Sequence, residues 1–407
     1  MSPPAPGHGK AHTAPVTLRA TSERAWRRAA FCLFAVAAGT NVPTPLLLVY
    51  RDTLDLSPDV LTAVFGSYAV GLVPALFLAG PASDRLGRRR LVVVFSALAG
   101  LTSLLLVAAA SSLPLLFVGR CLQGAVSGAV FTVGSAWLTE LSGPAAGQAA
   151  GRRAAVAMTG GFSLGPLTAG VLAEYGPAPT TLPYLVHVVL VACGVLVART
   201  LPETVVRRQR GVGPPGGPLV EPHERRVLLT VLLPLSVCVY AFPSVVISAV
   251  PLLVETTAPP VLLTGVLAGL TLGSGTLAAP LQRRLGAVSA PVGVLAGSGG
   301  YALAALGSGS GSPPVLLAAA VLLGGGSGLV LAGGLALAAR LARPERRGAL
   351  SAAFYGCAYV GFSAPLLTAL AAEATSVQVP LAVGAALALA LAVRLAVAAR
   401  RGQLGQT

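Results

Sequence analysis

The 407-residue sequence has few charged residues, and most of them carry the same sign. Charged residues make up 10% of the chain, with 13 acidic side chains against 28 lysines and arginines. Soluble globular domains carry about 25% charged residues, so this composition argues against a soluble fold. Hydrophobic residues reach 55%, and the mean hydropathy is +0.80. Together these values predict a protein embedded in a membrane.

Cysteines and the usual catalytic motifs are also scarce. All five cysteines fall inside apolar runs without CxxC or metal-ligand spacing, and we interpret them as packed free thiols. The sequence has no P-loop, HExxH or GxSxG pattern. These absences argue against an enzyme, a cofactor, a metal site and ATP-driven work. The arginines stand in short patches between apolar runs, which argues against a nucleic-acid-binding domain.

The apolar runs are long and do not alternate, which favours membrane helices over a barrel. Twelve runs approach the roughly 20 residues that cross a bilayer. The predicted helices are 26–50, 58–79, 91–111, 113–137, 154–174, 182–201, 226–251, 260–281, 287–308, 313–338, 349–372 and 378–399.

The basic residues test this helix count independently. With a cytoplasmic amino terminus, every lysine and arginine except Arg51 and Arg120 falls at a cytoplasmic end of the predicted helices. Adding or removing one helix would reverse every later loop and destroy this asymmetry. We therefore predict an all-α membrane protein of twelve helices with both termini in the cytoplasm.

The longest polar interruption divides the predicted helices into two sets of six. Residues 202–225, rich in proline, glycine and arginine, predict a cytoplasmic linker between six-helix bundles at 26–201 and 226–399. We expect 1–25 to be a disordered cytoplasmic tail and 400–407 a short cytoplasmic tail. Two halves joined by an inner linker are typical of transporters whose halves rock about a site near the bilayer midplane.

Three motifs in the first half resemble those of the major facilitator superfamily, the last two those of its drug:proton antiporters. The stretch "GPASDRLGRRR" resembles its signature loop at Gly80, Asp84, Arg85, Gly87, Arg88 and Arg89. The stretch "RCLQGAVSGA" in the fourth predicted helix matches at Arg120, Gln123, Gly124 and Gly128. The stretch "GFSLGPLTAG" in the fifth matches at Gly161, Gly165, Pro166 and Gly170, with Ala169 where a glycine is usual. The resemblance implies a secondary transporter with that superfamily's fold.

The signature loop is implied by the resemblance to form an inner gate. Gly80 permits close approach of another helix, and Asp84 is predicted near the start of the third helix, where the helix dipole favours negative charge. The arginines can pair with a carboxylate, and Glu140 at the inner end of the fourth helix is the candidate partner. The alternative is that the arginines serve only as inner anchors.

Arg120 is the most informative single residue. It lies about seven residues into the fourth predicted helix, where an arginine costs at least about 2.5–3.5 kcal/mol on insertion scales, so it should face protein or water. The resemblance implies a cavity residue that touches substrate or tunes a proton site. The alternatives are an interhelical clamp to backbone carbonyls and a snorkelling residue near the outer face.

Other residues are weaker candidates for a substrate or coupling site. Pro43 and Pro45 break the backbone pairing near Asn41, and irregular backbone at membrane depth lines a cavity or is buried in protein. Asn41 is therefore a candidate substrate ligand, with a polar clamp as the alternative. The remaining candidates are Tyr68, Gln123, His187, Tyr240, Phe354, Tyr355 and Tyr359. The glycines and proline of the fifth helix can equally be explained by helix packing.

None of the 13 acidic residues lies securely at mid-membrane depth. A proton-coupled exporter of cationic drugs would normally hold a buried carboxylate, so its absence argues against cation/proton antiport. An arginine in the cavity would suit a neutral or anionic ligand better. We predict a monomeric, proton-coupled exporter of a small amphiphilic molecule in a bacterial inner membrane. An importer or facilitator of a sugar, metabolite or organic anion is the alternative, and a non-transporting sensor or scaffold is a third.

Overall fold

The computed structural model describes residues 16–205, 219–221, 224–343 and 346–400. Eleven helical stretches in the described residues are long and apolar enough to span a membrane. One of them, Pro260–Ser310, has 51 residues and contains two long helices joined by three short helical segments over 279–288. The described residues therefore form twelve membrane helices, and the predicted all-α membrane fold is confirmed.

The helices are labelled α1 to α12 in chain order. The first half contains α1 (Val16–Thr40, continued by Pro43–Leu54), α2 (Pro58–Leu86), α3 (Arg88–Ala108), α4 (Leu113–Ser142), α5 (Gln148–Tyr175) and α6 (Leu182–Arg199). The second half contains α7 (Arg225–Leu253), α8 (Pro260–Ala278), α9 (Ser289–Ser310), α10 (Pro313–Leu341), α11 (Arg347–Ala358, Tyr359–Ser363 and Ala364–Ala374) and α12 (Gln378–Arg400).

The even-numbered helices all begin at the predicted residues, on the side away from the arginine patches. Five of them carry proline at the first or second position, as at Pro58, Pro260 and Pro313, where the missing amide hydrogen costs no hydrogen bond. At the arginine-rich side, α2 and α4 continue to Leu86 and Ser142. They pass the predicted ends because polar residues can extend a helix beyond the apolar slab.

The amino-terminal tail and the linker are only partly described. Helix α1 begins at Val16, so residues 16–25 of the predicted disordered tail are helical; no proline follows Pro15 to prevent this. Residues 1–15, 206–218, 222–223 and 401–407 of the predicted tails and linker lie outside the described residues. The end of the linker joins α10, since Glu221 forms an ion pair with Arg343 at 2.7 Å.

The two halves meet along two seams. Within the first half α2 packs on α4, α1 on α5, and α3 on α4 and α6; within the second half α9 packs on α10 and α12, and α10 on α7 and α8. Between the halves, α5 packs on α8 and α2 packs on α11. These two seams flank the cavity described below.

Candidate substrate cavity

Helix α1 is broken at membrane depth between Thr40 and Pro43. Proline has no amide hydrogen, so Pro43 cannot donate to the carbonyl of Gly39 four residues earlier. The amide of Thr44 donates to the Asn41 carbonyl at 3.1 Å instead of to that of Thr40. The break therefore leaves hydrogen-bonding capacity on the Gly39 and Thr40 carbonyls for side chains from other helices.

Two side chains of α4 use this capacity. Gln123 Nε2 donates to the Gly39 oxygen at 2.7 Å, and Arg120 Nη1 donates to the Thr40 oxygen at 2.9 Å. The same Nη1 donates to the Gln123 side-chain oxygen, and Arg120 Nη2 reaches the Phe65 carbonyl of α2 at 3.3 Å. Arg120 is only 2% exposed. The arginine is thus placed as a clamp that joins α1, α2 and α4.

Arg120 also lines a cavity, so the clamp and the cavity interpretations are compatible. The cavity has a volume of about 150 Å³ and takes its walls from α1, α2, α4, α5, α7, α8 and α11, that is, from both halves. The Arg120 guanidinium lies over the Tyr68 ring at 5.0 Å from its centre. Its Nε has no hydrogen-bond partner among the described residues. One buried donor therefore remains unused in a residue of the cavity wall.

Aromatic rings form much of the cavity wall, although only 5% of the chain is aromatic. Tyr240 stacks on Tyr359 at 4.8 Å and lies 5.0 Å from Phe362, measured between ring centres. Phe65 of α2 approaches Phe362 of α11 at 5.8 Å, which joins the halves. The aromatic lining residues are Phe65, Tyr68, Phe131, Phe162, Tyr240, Tyr359 and Phe362. Such walls offer ring faces and edges to an apolar or aromatic ligand.

Few polar groups converge on the cavity. Apart from Arg120 and the tyrosine hydroxyls, the polar lining residues are Thr40, Asn41 and Ser244. Within the described ranges no carboxylate and no histidine lines the cavity. Because an unpaired buried cation is costly for the protein to leave uncompensated, the single positive charge favours a neutral or anionic ligand over a cationic one.

His187, a predicted site residue, lies away from the cavity. Its Nδ1 is 2.8 Å from the Ser103 hydroxyl, and its Nε2 is 3.1 Å from the Ala35 carbonyl oxygen. These contacts join α6 to α3 and α1 inside the first half. His187 is therefore placed as a buried packing contact, and it does not line the site as the sequence analysis proposed.

The candidates on α11 divide into one that lines the cavity and two that do not. Tyr359 begins the short 3-10 segment Tyr359–Ser363 and faces the cavity. Tyr355 lies one turn nearer the arginine-rich end and is not part of the lining. Phe354 is only 1% exposed and packs in the hydrophobic core of its own half. Sequence reasoning missed Phe65, Phe131, Phe162 and Phe362, whose only signal was the scarcity of aromatic residues in the chain.

The signature loop proves to be almost entirely helical. Gly87 alone separates α2 from α3, and its φ of 97° favours glycine. Asp84 therefore lies in the last turn of α2, which corrects its predicted place at the start of α3. The negative charge at the start of α3 comes instead from Glu203, which follows α6. Its carboxylate accepts hydrogen bonds from the backbone amides of Arg88 at 2.8 Å and Arg89 at 3.1 Å.

Arg88 joins the carboxylates at the arginine-rich end of the first half. Its Nη2 lies 2.8 Å from Asp84 Oδ1 and 3.4 Å from Glu140 Oε1. Arg85 is exposed, and a Cβ added at Gly80 would meet α4 at an ordinary 3.8 Å. The contacts of Arg88 thus connect α2, α3 and α4 of one half, while a gating role for this motif remains a prediction.

The glycines of the fourth- and fifth-helix motifs lie at close helix contacts. A Cβ at Gly124 would overlap the Tyr68 carbonyl of α2, and one at Gly165 would overlap the Ala38 carbonyl of α1. Gly128 and Gly161 make equivalent contacts with α2 and α1, and Pro166 lies inside α5. Gly170 differs, because a Cβ there would lie 3.0 Å from the Cα of Gly265 in α8. That contact belongs to the seam between the halves.

Glu174 closes this seam on the side opposite the arginine patches. Its Oε2 accepts from the backbone amides of Val261 and Leu262, both at 3.0 Å. These are free amides in the first turn of α8, where a carboxylate is favoured by the helix dipole. The bonds therefore join the end of α5 in the first half to the start of α8 in the second.

The other seam is closed on the same side. The outer segment of α11, Ala364–Ala374, packs on α2. The inner segment, Arg347–Ala358, packs instead on α7 and α10 of its own half. The described contacts between the halves thus run from the level of the cavity to the side away from the arginines.

Glu174→Gln is expected to weaken this outer closure. The amide retains one acceptor oxygen but loses the charge that favours the α8 amino terminus, so the halves should separate more often on this side. Labelling of a cysteine placed at Val261 by a membrane-impermeant maleimide should rise severalfold in a background without native cysteines. Glu255→Gln is the matched control, since Glu255 is exposed on the same side; equal labelling of both variants contradicts the closure.

Twelve membrane helices in two halves around a cavity at their interface are an architecture common among secondary transporters. The sequence comparison agrees: residues 29–303 match the Major Facilitator Superfamily. The chain therefore belongs to this superfamily.

Individual relatives match over shorter stretches. An uncharacterized MFS-type transporter, YfiU of Bacillus subtilis, is 31% identical over 103 residues, and the glucose transporter GlcP of Staphylococcus epidermidis is 35% identical over 98 residues. Each match covers about a quarter of this chain, and 20% and 21% of those relatives. A solved peptide transporter, POT, is similar over 97% of this chain and all of its own, with a TM-score of 0.78 at 14% identity. That likeness shows the fold alone.

Proposed function

We propose that the protein exports a small amphiphilic molecule, neutral or anionic, by alternating access. The observation that carries this proposal is the cavity itself, a mostly aromatic wall with one buried arginine and no lining carboxylate among the described residues. An apolar or aromatic part of the ligand would contact Tyr240, Tyr359 and Phe362. An acceptor group of the ligand would take the unused Nε donor of Arg120.

Two features favour this ligand class over others. A sugar needs many hydrogen-bonding partners at once, and the polar lining groups are few. A cationic drug would place its charge near the Arg120 guanidinium without a carboxylate to offset the repulsion. The resemblance of the α4 and α5 motifs to drug:proton antiporters favours export. Import or facilitated passage of an organic anion is the second candidate, because Arg120 would serve an anion in either direction.

We further propose that the proton gradient drives export, with Glu174 as the candidate proton carrier. Protonation of its carboxylate would weaken both bonds to the α8 amides and so favour opening on that side. The positive-inside rule makes the arginine-rich side cytoplasmic. Opening on the opposite side would then expose the cavity to the outside, where protons are supplied across a bacterial inner membrane. We propose that a single copy of the chain carries out this cycle.

The test is accumulation of fluorescent neutral, anionic and cationic amphiphiles in efflux-deficient bacteria expressing the protein. We expect lower accumulation of neutral or anionic compounds than in cells with an empty vector, and loss of that difference with a protonophore. Raised accumulation of organic anions would instead establish the second candidate. Selective extrusion of cationic compounds would contradict the proposed ligand class.

Tyr359→Ala is expected to weaken substrate binding because it removes a ring that lines the cavity and stacks on Tyr240. Aromatic pairs contribute about 0.5–1.5 kcal/mol beyond their buried area, so we expect the KM for a transported compound to rise roughly three- to tenfold or more. Tyr355→Ala is the control on the same helix, since Tyr355 is not part of the lining. Equal KM changes in both variants would argue against the cavity as the binding site.

A further inference from the structure

A second groove lies on the first half, between the arginine-rich ends of α1 and α5. Its polar end holds Trp26 of α1 with Arg152 and Arg153 of α5, and its apolar floor includes Phe31, Phe34 and Val156. The groove has no part in the central cavity or in the contacts between the halves described above. Its composition, basic at one end and apolar along the rest, therefore needs a separate explanation.

The basic end is organised around Trp26. The Arg153 guanidinium lies over the indole ring at 4.1 Å from its centre, and that of Arg27 lies at 5.5 Å. No acidic residue lines the groove within the described ranges. Arg152 and Arg153 thus bring positive charge to this end of the groove.

The apolar end of the groove faces the bilayer. Val156 is 58% exposed, and Leu164 and Val171 are also exposed. Their spacing of eight and seven residues places all three on one face of α5. Phe162, which lines the central cavity, is two positions from Leu164 and therefore lies on nearly the opposite face. The groove consequently opens toward lipid and not toward the transport path.

We propose that this groove is a binding site for an anionic phospholipid from the leaflet on the arginine-rich side of the protein. Arg152 and Arg153 would bind the phosphate and headgroup by charge-assisted hydrogen bonds. Trp26 lies at the depth where indole rings favour the interface, and one acyl chain would lie along Phe31, Phe34 and Val156. Because α5 also carries Glu174, a lipid bound here holds the inner end of a helix whose outer end joins the two halves.

Tryptophan fluorescence can test this site directly. The sequence has two tryptophans, and Trp137 is fully buried, so a quencher in the bilayer reports mainly on Trp26. The purified full-length protein is placed in phosphatidylcholine vesicles that contain either brominated phosphatidylglycerol or brominated phosphatidylcholine at equal mole fraction. We expect stronger quenching by the brominated phosphatidylglycerol, and loss of that quenching in Trp26→Phe.

Neutralising Arg152 and Arg153 should remove the preference of the groove for phosphatidylglycerol over phosphatidylcholine. Each arginine near an anionic surface contributes a factor of about five, so Arg152→Gln with Arg153→Gln should lower the relative association constant for phosphatidylglycerol roughly 10- to 30-fold. The matched control is Arg283→Gln with Arg284→Gln, an exposed pair after α8 with the same loss of charge. Quenching by brominated phosphatidylcholine checks that each variant keeps its fold around Trp26.

Three results would overturn the proposal. Equal quenching of the wild type by the two brominated lipids would show that the groove does not select anionic headgroups. Equal loss in the Arg283/Arg284 control would show diffuse attraction to the surface in place of a site. Quenching by neither lipid would show that Trp26 is covered by protein, as it would be if a second copy of the chain occupied the groove.

Discussion

Arg120→Ala is expected to abolish transport and to destabilise the protein. The change removes the partner of the Thr40 carbonyl at the break in α1 and one partner of Gln123. An unpaired buried acceptor costs about 1–3 kcal/mol, and the vacated volume adds a cavity penalty. The variant also loses the only charged group that lines the cavity in the described residues.

Arg120→Lys separates the two roles of this residue. Lysine keeps the positive charge but lacks the planar fork that reaches α1, Gln123 and α2 together. We therefore expect Arg120→Lys to transport more than Arg120→Ala but less than the wild type. Its midpoint of thermal unfolding should stay several degrees below that of the wild type. Thermal unfolding in detergent and uptake into proteoliposomes at matched protein amounts provide the two measurements. Wild-type stability and transport in Arg120→Ala would refute the clamp.

Gly165→Ala is expected to destabilise the protein far more than Gly160→Ala, although the two changes add the same methyl group to the same helix. At Gly165 the new carbon overlaps the carbonyl of Ala38, a backbone group that cannot move without separating α5 from α1. At Gly160 the nearest atom is 3.5 Å away, in the flexible ring of Phe34. Overpacking of this kind costs about 1–3 kcal/mol or more.

The two variants are compared by two measurements: the fraction of protein that stays monodisperse after heating, and the rate of transport. We expect Gly165→Ala to lose most of both, with Gly160→Ala close to the wild type. Similar behaviour of the two variants would show that α1 and α5 are not in backbone contact at Gly165, and that the glycines of this motif serve another purpose.

The helix count could be predicted because two independent physical signals coincide. Apolar length sets the number of spans, and the arginines fix which ends share a side. The helix starts at Pro58, Pro260 and Pro313 were predictable because proline is favoured in the first turn of a helix. The ends near Leu86 and Ser142 were not, because hydropathy detects the apolar slab and not the polar turns that continue a helix beyond it.

The site was predictable where the sequence breaks a rule of membrane helices. Arg120 is a charge inside an apolar run, and Asn41 adjoins two helix-breaking prolines; both line the cavity. The aromatic wall could not be predicted, since Phe65 and Phe362 are ordinary residues in apolar helices until tertiary packing brings them together. His187 misled because a histidine in a span looks functional, while packing supplies it with Ser103 and a backbone carbonyl.

The partners of Glu174 could not be predicted from the sequence, for a related reason. Its partners are the backbone amides of Val261 and Leu262. Almost every residue has a backbone amide, so these partners leave no signal in the sequence. Contacts between a side chain and a distant helix terminus have no pattern in the chain, and only the fold reveals them.

The central claim is that the two halves must separate on the side away from the arginines during each transport cycle. Asp59 lies in the first turn of α2 and Glu373 near the outer end of α11, and the packing of these two helices across the closed seam allows a direct test. Cysteines at both positions in a background without native cysteines are joined by a short, reducible bis-methanethiosulfonate reagent, and transport is measured before and after reduction. Each single-cysteine variant treated with the same reagent is the control. We expect that the cross-linked protein does not transport and that reduction restores transport. Unchanged transport by fully cross-linked protein would contradict it.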